Sequence, residues 1–315
     1  MPNINTDSFV EDNNAENHWD NNSDNATVHP ENVTNTPHAT QTIFGLSAEE
    51  LNDYQKISIT IADKQAPIVV LFGPPACGKT MTLIRLARYL KAKDYTVTPI
   101  RSFRPSYDTN YNEICEKFDS MVNQDDAAKS TDKISFMLVR VTKNGRTICQ
   151  ILEAPGELYF DPKFPKAEFP RYLNAITNCD CRKIWTVLVE PDWLNESDRR
   201  NYVQKIKDLK KKMGNRDRTI IVYNKIDRTD FLINNSGEAY IGPAKKNVMD
   251  LYEGIFEPFR NDIPISRWFT PYRFDFSIFQ TGDYSKTADG TMMFEQGPDV
   301  FPRNLWNIIL KRVRG

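Results

Sequence analysis

Eight residues carry the plainest chemistry in this 315-residue chain: Gly73-Pro74-Pro75-Ala76-Cys77-Gly78-Lys79-Thr80, spaced as Gly-x-x-x-x-Gly-Lys-Thr. Glycines at both ends let the backbone curl around an anion while successive N–H groups turn inward. Lys79 can then reach the β- and γ-phosphates of a nucleotide, and the Thr80 hydroxyl can ligate Mg²⁺. Pro74 and Pro75 have no N–H, so the donors must come chiefly from Ala76 through Thr80. Cys77 lies inside the loop, where alkylation should block nucleotide. Two further clusters follow apolar runs: Glu153-Ala154-Pro155-Gly156-Glu157, and Asn224-Lys225-Ile226-Asp227.

These clusters need elements to hold them, and the hydrophobic pattern supplies an alternating series. Residues 67–72 are a continuous apolar run bounded by Gly and Pro, the mark of a strand buried on both faces. A helix follows with Leu83, Leu86, Tyr89 and Leu90 on its inner side. Residues 95–103 read as extended, and 110–122 as a helix with Ile114, Phe118 and Met121 or Val122 facing in. Runs at 134–141 and 147–152 are joined by Lys143-Asn144-Gly145-Arg146, which favours an antiparallel hairpin. Strands are expected at 183–189, 219–223 and 272–279, and helices at about 197–213, 244–259 and 303–312. Order begins near a capping box at Ser47 and Glu50, with Leu51, Tyr54 and Ile57 at helical spacing. No internal repeat is present.

At the Asn224–Asp227 cluster the sequence resembles the guanine-specificity motif of the P-loop GTPases of the translation-factor and Ras-like (TRAFAC) class. Guanine offers an N1–H and an exocyclic amino group that one carboxylate accepts together, a pair that adenine lacks. The resemblance implies that role for Asp227, contact with base and phosphate loop for Asn224, and a Lys225 stem lying over the purine. Glu153 to Gly156 is similar to the family's Asp-x-x-Gly switch, with Glu in place of Asp. By resemblance Glu153 holds water on the metal and the Gly156 N–H contacts the γ-phosphate. Glu157 stands where Ras-like enzymes carry the water-orienting Gln, which implies slow intrinsic turnover. The switch threonine that covers the metal is assigned to Thr131, with Thr109 as second choice; Ser277 and Thr281 are the options for the last guanine loop. The metal set is thus Thr80, Glu153 and Thr131, and the catalytic set Lys79, Glu157 and Thr131. The implied fold is a three-layer α/β P-loop NTPase, a Ras-like G domain with a mostly parallel sheet and one antiparallel hairpin strand. Insertions follow the phosphate-loop helix and the Asn-Lys-x-Asp motif. The implied function is Mg²⁺-dependent hydrolysis of GTP to GDP in a switch that acts on an effector or regulatory protein. Segments near Thr131 and 153–166 should change order when the γ-phosphate leaves. By architecture the chain is similar to prokaryotic GTPases.

Composition narrows the field. Residues 1–55 hold ten acidic side chains, no Lys or Arg, and all three histidines; the remainder carries 41 basic against 32 acidic groups. A body without histidine excludes a His general base, a Ser-His-Asp triad and a His-containing zinc site there. Residues 1–43, Asn-rich and without apolar period, are expected to be a disordered tail, and 44–315 the G domain. No run approaches the roughly 18 apolar residues of a membrane span, and the C-terminus lacks a prenylation cysteine. A cytoplasmic protein with five reduced cysteines is expected; Cys179-Asp180-Cys181 without histidines is a poor metal set. The basic residues of 205–212 form the solvated face of a helix, which argues against a nucleic-acid partner.

Two alternatives stand beside this reading. Gly-Pro-Pro also opens the phosphate loop of many AAA+ ATPases, but those require an apolar strand ending in Asp-Glu, which the sequence lacks. Glu153 and Glu157 also suit a nucleotide-binding scaffold that does not hydrolyse.

Overall fold

Ile68–Phe72 form β1, buried at every position as only a strand covered on both faces can be. The computed structural model describes residues 46–123, 136–192, 195–234, 236–286 and 292–315, all within one compact unit, Thr42–Gly315. There β1 is the middle of a seven-stranded sheet. The other strands are β2 (Thr96–Pro99), β3 (Met137–Lys143), β4 (Arg146–Glu153), β5 (Lys183–Val189), β6 (Arg218–Tyr223) and β7 (Asp275–Ile278). Their spatial order is β2-β3-β4-β1-β5-β6-β7. Strands β4, β1, β5, β6 and β7 are parallel, and β3 alone is reversed, antiparallel to both β2 and β4. Asn144 and Gly145 turn the hairpin with φ of 50° and 73°, the paired left-handed conformation of a primed turn.

The helices are α1 (Ala48–Asn52), α2 (Lys79–Lys91), α3 (Thr109–Asn123), α4 (Gly156–Tyr159), α5 (Arg171–Thr177), α6 (Glu196–Lys212), α7 (Ile241–Leu251), α8 (Pro264–Phe269) and α9 (Val300–Arg314). Helices α2, α3 and α9 pack together on one face of the sheet. On the other, Tyr202 of α6 stacks on Phe72 at 6.1 Å and donates its hydroxyl hydrogen to Leu188 O. This is the three-layer arrangement of a P-loop G domain, with α3 lying between β2 and β3 in the chain, and α7 and α8 between β6 and β7.

Where the structure departs from the pattern, the causes are local. The expected first helix stops after five residues because Asp53 takes extended backbone (φ −143°) and caps a following 3₁₀ turn, Tyr54–Lys56. The extended stretch at 95–103 is a four-residue strand followed by a 3₁₀ turn, Arg101–Phe103. The helix expected over 244–259 ends at Leu251; Tyr252 donates its hydroxyl to Glu190 O at 2.7 Å, and Gly254 takes φ 78°. An antiparallel ribbon, β8 (Gly282–Lys286) with β9 (Met292–Gln296), has no counterpart in the apolar pattern. It delivers the chain to α9, whose start is held by Arg85. That fully buried α2 side chain donates to Gly297 O and Asp299 Oδ1, both at 2.7 Å.

Candidate nucleotide site

The phosphate loop joins the carboxyl end of β1 to α2, the place where an open parallel sheet leaves a crevice. Gly78 caps α2 with φ 88°, a conformation that costs glycine nothing, and Ala76 shares the left-handed region at φ 58°. Such left-handed residues in a tight loop turn N–H groups into one concavity at the positive end of the α2 dipole. Lys79 is buried, and its ammonium donates to Pro74 O at 2.8 Å, so the cation is held within the loop. Cys77, whose alkylation is expected to block nucleotide, is buried in the loop. Its sulfur turns into the protein, where a Cβ on Gly73 would meet it at 2.5 Å, and burial pushes its thiol pKa up.

The Asn-Lys-x-Asp cluster meets the loop directly. Asn224, buried at the end of β6, donates from Nδ2 to Cys77 O at 2.8 Å, while its N–H donates to Val189 O at 2.8 Å. Lys225, at φ 55°, donates to Ala76 O at 3.0 Å. Consecutive residues of one motif thus anchor on consecutive carbonyls of the other. Asp227 lies exposed in the 3₁₀ turn that follows, Ile226–Arg228. The Ile226 N–H reaches Phe279 O at 3.2 Å, which brings the chain after β7 beside this turn. Thr281 follows there half-buried, whereas Ser277 is buried within β7 and donates to Ile278 O.

The third cluster closes the other side. Glu153, the last residue of β4, is buried, and its Oε1 accepts from Thr80 Oγ1 at 2.9 Å. Burial pushes the Glu153 carboxyl up to about 7, against the pull of the Lys79 charge and the Thr80 hydroxyl; the charge of Glu157 adds to the rise. Its second oxygen, Oε2, is buried with no hydrogen-bond partner. An orphaned carboxylate oxygen beside a hydroxyl is a hard oxygen pair of the kind Mg²⁺ takes, so the residues present fit that ion. Gly156 lies against the loop backbone: a Cβ there would stand 2.1 Å from Pro75 N and 2.3 Å from Pro74 C, so only glycine fits. Glu157, in the first turn of α4, is half-buried and lines a cavity of about 260 Å³ with Tyr54 and Lys205.

Thr131 lies outside the described residues. Thr109 is the first residue of α3, a helix that packs on α2, β2 and β3. The residue that motif reading misses is Glu190, buried directly after β5 and ion-paired with Lys225. Its one signal is a carboxylate directly after a strand buried at every position, a charge that must find a partner.

No protein-family model and no curated protein matches the sequence. Among solved structures, the chain is similar to a protein described as nucleolar GTP-binding protein 1 of Plasmodium falciparum. Identity is 12% over 82% of this chain and 90% of that one, with a TM-score of 0.39. It is also similar to the GTP-bound GTPase-like domain of Saccharomyces cerevisiae Ski7, at 13% identity and TM-score 0.39, covering 80% of this chain and 51% of that one. A third is the signal recognition particle receptor SRb-GTP/SRX complex of Chaetomium thermophilum, at 13% identity and TM-score 0.36, covering 78% and 98%. The chain spans about half the length of the Ski7 chain. At these values the likeness carries no argument about ligand or chemistry, and the site stands on its own geometry.

Proposed function

We propose that this protein binds GTP with Mg²⁺, hydrolyses it slowly to GDP and phosphate, and serves as a nucleotide-dependent switch for a partner protein. The observation that carries the proposal is the double anchor of Asn224 on Cys77 O and Lys225 on Ala76 O. It sets a guanine-type motif and a phosphate cradle at one mouth. A nucleotide there would have its phosphates against the Ala76–Thr80 amides and Lys79, and its base against Asp227. Thr80 and Glu153 would hold Mg²⁺, which when bound neutralises charge on the phosphate oxygens. The Gly156 N–H is the donor for the γ-phosphate, and Glu157 orients the attacking water; a glutamate so near a triphosphate keeps turnover slow. Loss of the γ-phosphate removes the tie on Gly156 and frees the 153–166 segment to rearrange, and a partner protein reads that change. The class that suits this reading is the translation-factor and Ras-like P-loop GTPases.

The same two glutamates favour one second reading, a scaffold that binds nucleotide without turning it over. Binding and phosphate release with GTP, ATP and XTP, for wild type, Lys79→Ala and Asp227→Asn, separate the cases. The expected result is GTP preference in wild type, loss of binding in Lys79→Ala and a gain of XTP binding in Asp227→Asn. ATP preference refutes the guanine assignment; GTP binding with no phosphate release supports the scaffold.

A further inference from the structure

Four large apolar side chains stand in the open within seven residues of α8 and its approach. Ile263 is 52% exposed, Ile265 77%, Trp268 89% and Phe269 87%. They are presented by a braced finger. At its neck the buried Asn261 donates from N to Pro271 O (2.8 Å) and from Nδ2 to Thr270 O (3.0 Å). Its Oδ1 accepts from Ile263 N and Arg273 Nε, and Arg267 Nε donates to Asn261 O at 2.8 Å. Behind the neck, Phe256, Phe259, Tyr272 and Phe274 form a packed aromatic base. A fold that binds the neck this firmly while leaving Trp and Phe in water holds apolar surface ready for a partner.

The place and charge of the finger say which partner. It leaves the domain just before β7, at the sheet edge opposite the phosphate cradle. The carboxyl ends of α6 and α9 and the start of β6 meet at that edge: Arg312 pairs with Asp275, and Lys210 lies 5.8 Å from the Phe259 ring. Lys212, Arg216, Lys311 and Arg314 are exposed there. The carboxylates among them are engaged: Asp208 with Lys211, Asp217 with Trp185 and Lys183, Asp262 with Arg273, and Asp275 with Arg312. Asp180, Asp250 and Glu253 are exposed exceptions, and the exposed Glu257 at the base of the finger pairs with Arg260. The result is an apolar wedge, tipped with an aromatic pair, at the end of the domain that also exposes Lys212, Arg216, Lys311 and Arg314.

We propose that this end of the protein docks on an anionic lipid bilayer. The Ile265, Trp268 and Phe269 side chains enter the boundary between headgroups and acyl chains, and the surrounding Lys and Arg residues lie over lipid phosphates. Cations spread over the ends of several elements match a plane of phosphates, whereas a protein groove would need only the finger. Among the described residues no helix is long and apolar enough to cross a membrane, so the attachment is peripheral. The nucleotide mouth, at the opposite edge, stays in water.

The test is co-sedimentation of the full chain with vesicles of phosphatidylcholine alone and of phosphatidylcholine with one third phosphatidylglycerol. Binding is expected only to the anionic vesicles and should weaken as salt is raised. Trp268→Ser with Phe269→Ser should cut it at least about tenfold, and each of Lys311→Ala and Arg314→Ala about fivefold. Far-UV circular dichroism and thermal melting, unchanged in these surface variants, confirm that they are folded. Absence of binding to anionic vesicles, or equal binding by the Trp268→Ser/Phe269→Ser variant, overturns the proposal. So does a concentration-dependent dimer in ultracentrifugation that this variant abolishes, which would assign the finger to a second copy of the chain.

Discussion

If Asn224 is first a clamp on the phosphate loop and only then a contact for a base, its removal must weaken the protein with no nucleotide present. In Asn224→Ala the buried Cys77 carbonyl loses a 2.8 Å hydrogen bond. An unsatisfied buried acceptor costs about 1–3 kcal/mol. Asn224 Oδ1 is itself buried without a partner, so alanine also removes one orphan, which brings the expected loss to about 1–2 kcal/mol. For a domain of this size that is a fall of roughly 2–8 °C in Tm. The clamp also makes a pairwise prediction, because a Cβ on Gly78 would stand 2.5 Å from Asn224 Nδ2 at φ 88°. In wild type, Gly78→Ala meets both the left-handed backbone and that clash; in Asn224→Ala only the backbone strain remains. Urea unfolding of the nucleotide-free wild type, both single variants and the double variant should show Gly78→Ala costing less in the Asn224→Ala background, by about 1 kcal/mol or more. An unfolding midpoint unmoved by Asn224→Ala, or an equal cost of Gly78→Ala in both backgrounds, refutes the clamp.

Two further outcomes follow from buried charge. Glu153 has a folded pKa of about 7 against an ordinary 4.5. Its contribution to metal-free stability is therefore complete below pH 4.5 and lost as pH rises through 7, a loss of roughly 3 kcal/mol. Urea midpoints of the metal-free protein between pH 5 and pH 8 should fall less steeply in Glu153→Gln than in wild type, and equal slopes would sink the assignment. Arg104, with its side chain 2% exposed, pairs with Glu50 at 2.5 Å and with Asp108 at 3.0 Å, tying α1 to the segment before α3. Arg104→Met strands both carboxylates and should cost about 3–5 kcal/mol in chemical denaturation, whereas a loss below about 1 kcal/mol would mean that water reaches them.

Glu190 and Arg104 also show what a single sequence can and cannot disclose about such a site. The cradle is legible because its requirements are local: the Gly78 φ, the α2 dipole and the two missing proline N–H groups all fall within eight consecutive residues. The hairpin is legible for the same reason, since Asn144 and Gly145 satisfy the turn by themselves. Glu190 and Lys225 are 35 residues apart, and Arg104 reaches Glu50 across 54, so no spacing rule joins them. Residue type is equally silent on direction. The Cys77 sulfur is buried against Gly73, where a Cβ would meet it at 2.5 Å, and the residue type alone does not announce that direction. The finger is the sharpest case: Ile265, Trp268 and Phe269 look like core by composition, yet they stand exposed on a segment whose neck is tied by Asn261. Chemistry that acts through neighbours in the chain is written in spacing, while the anchors that hold it and the surfaces that present it arise where the fold brings distant segments together. Substitutions at Glu190, Arg104 and Asn261 therefore probe the tertiary arrangement itself, which the motif residues alone do not test.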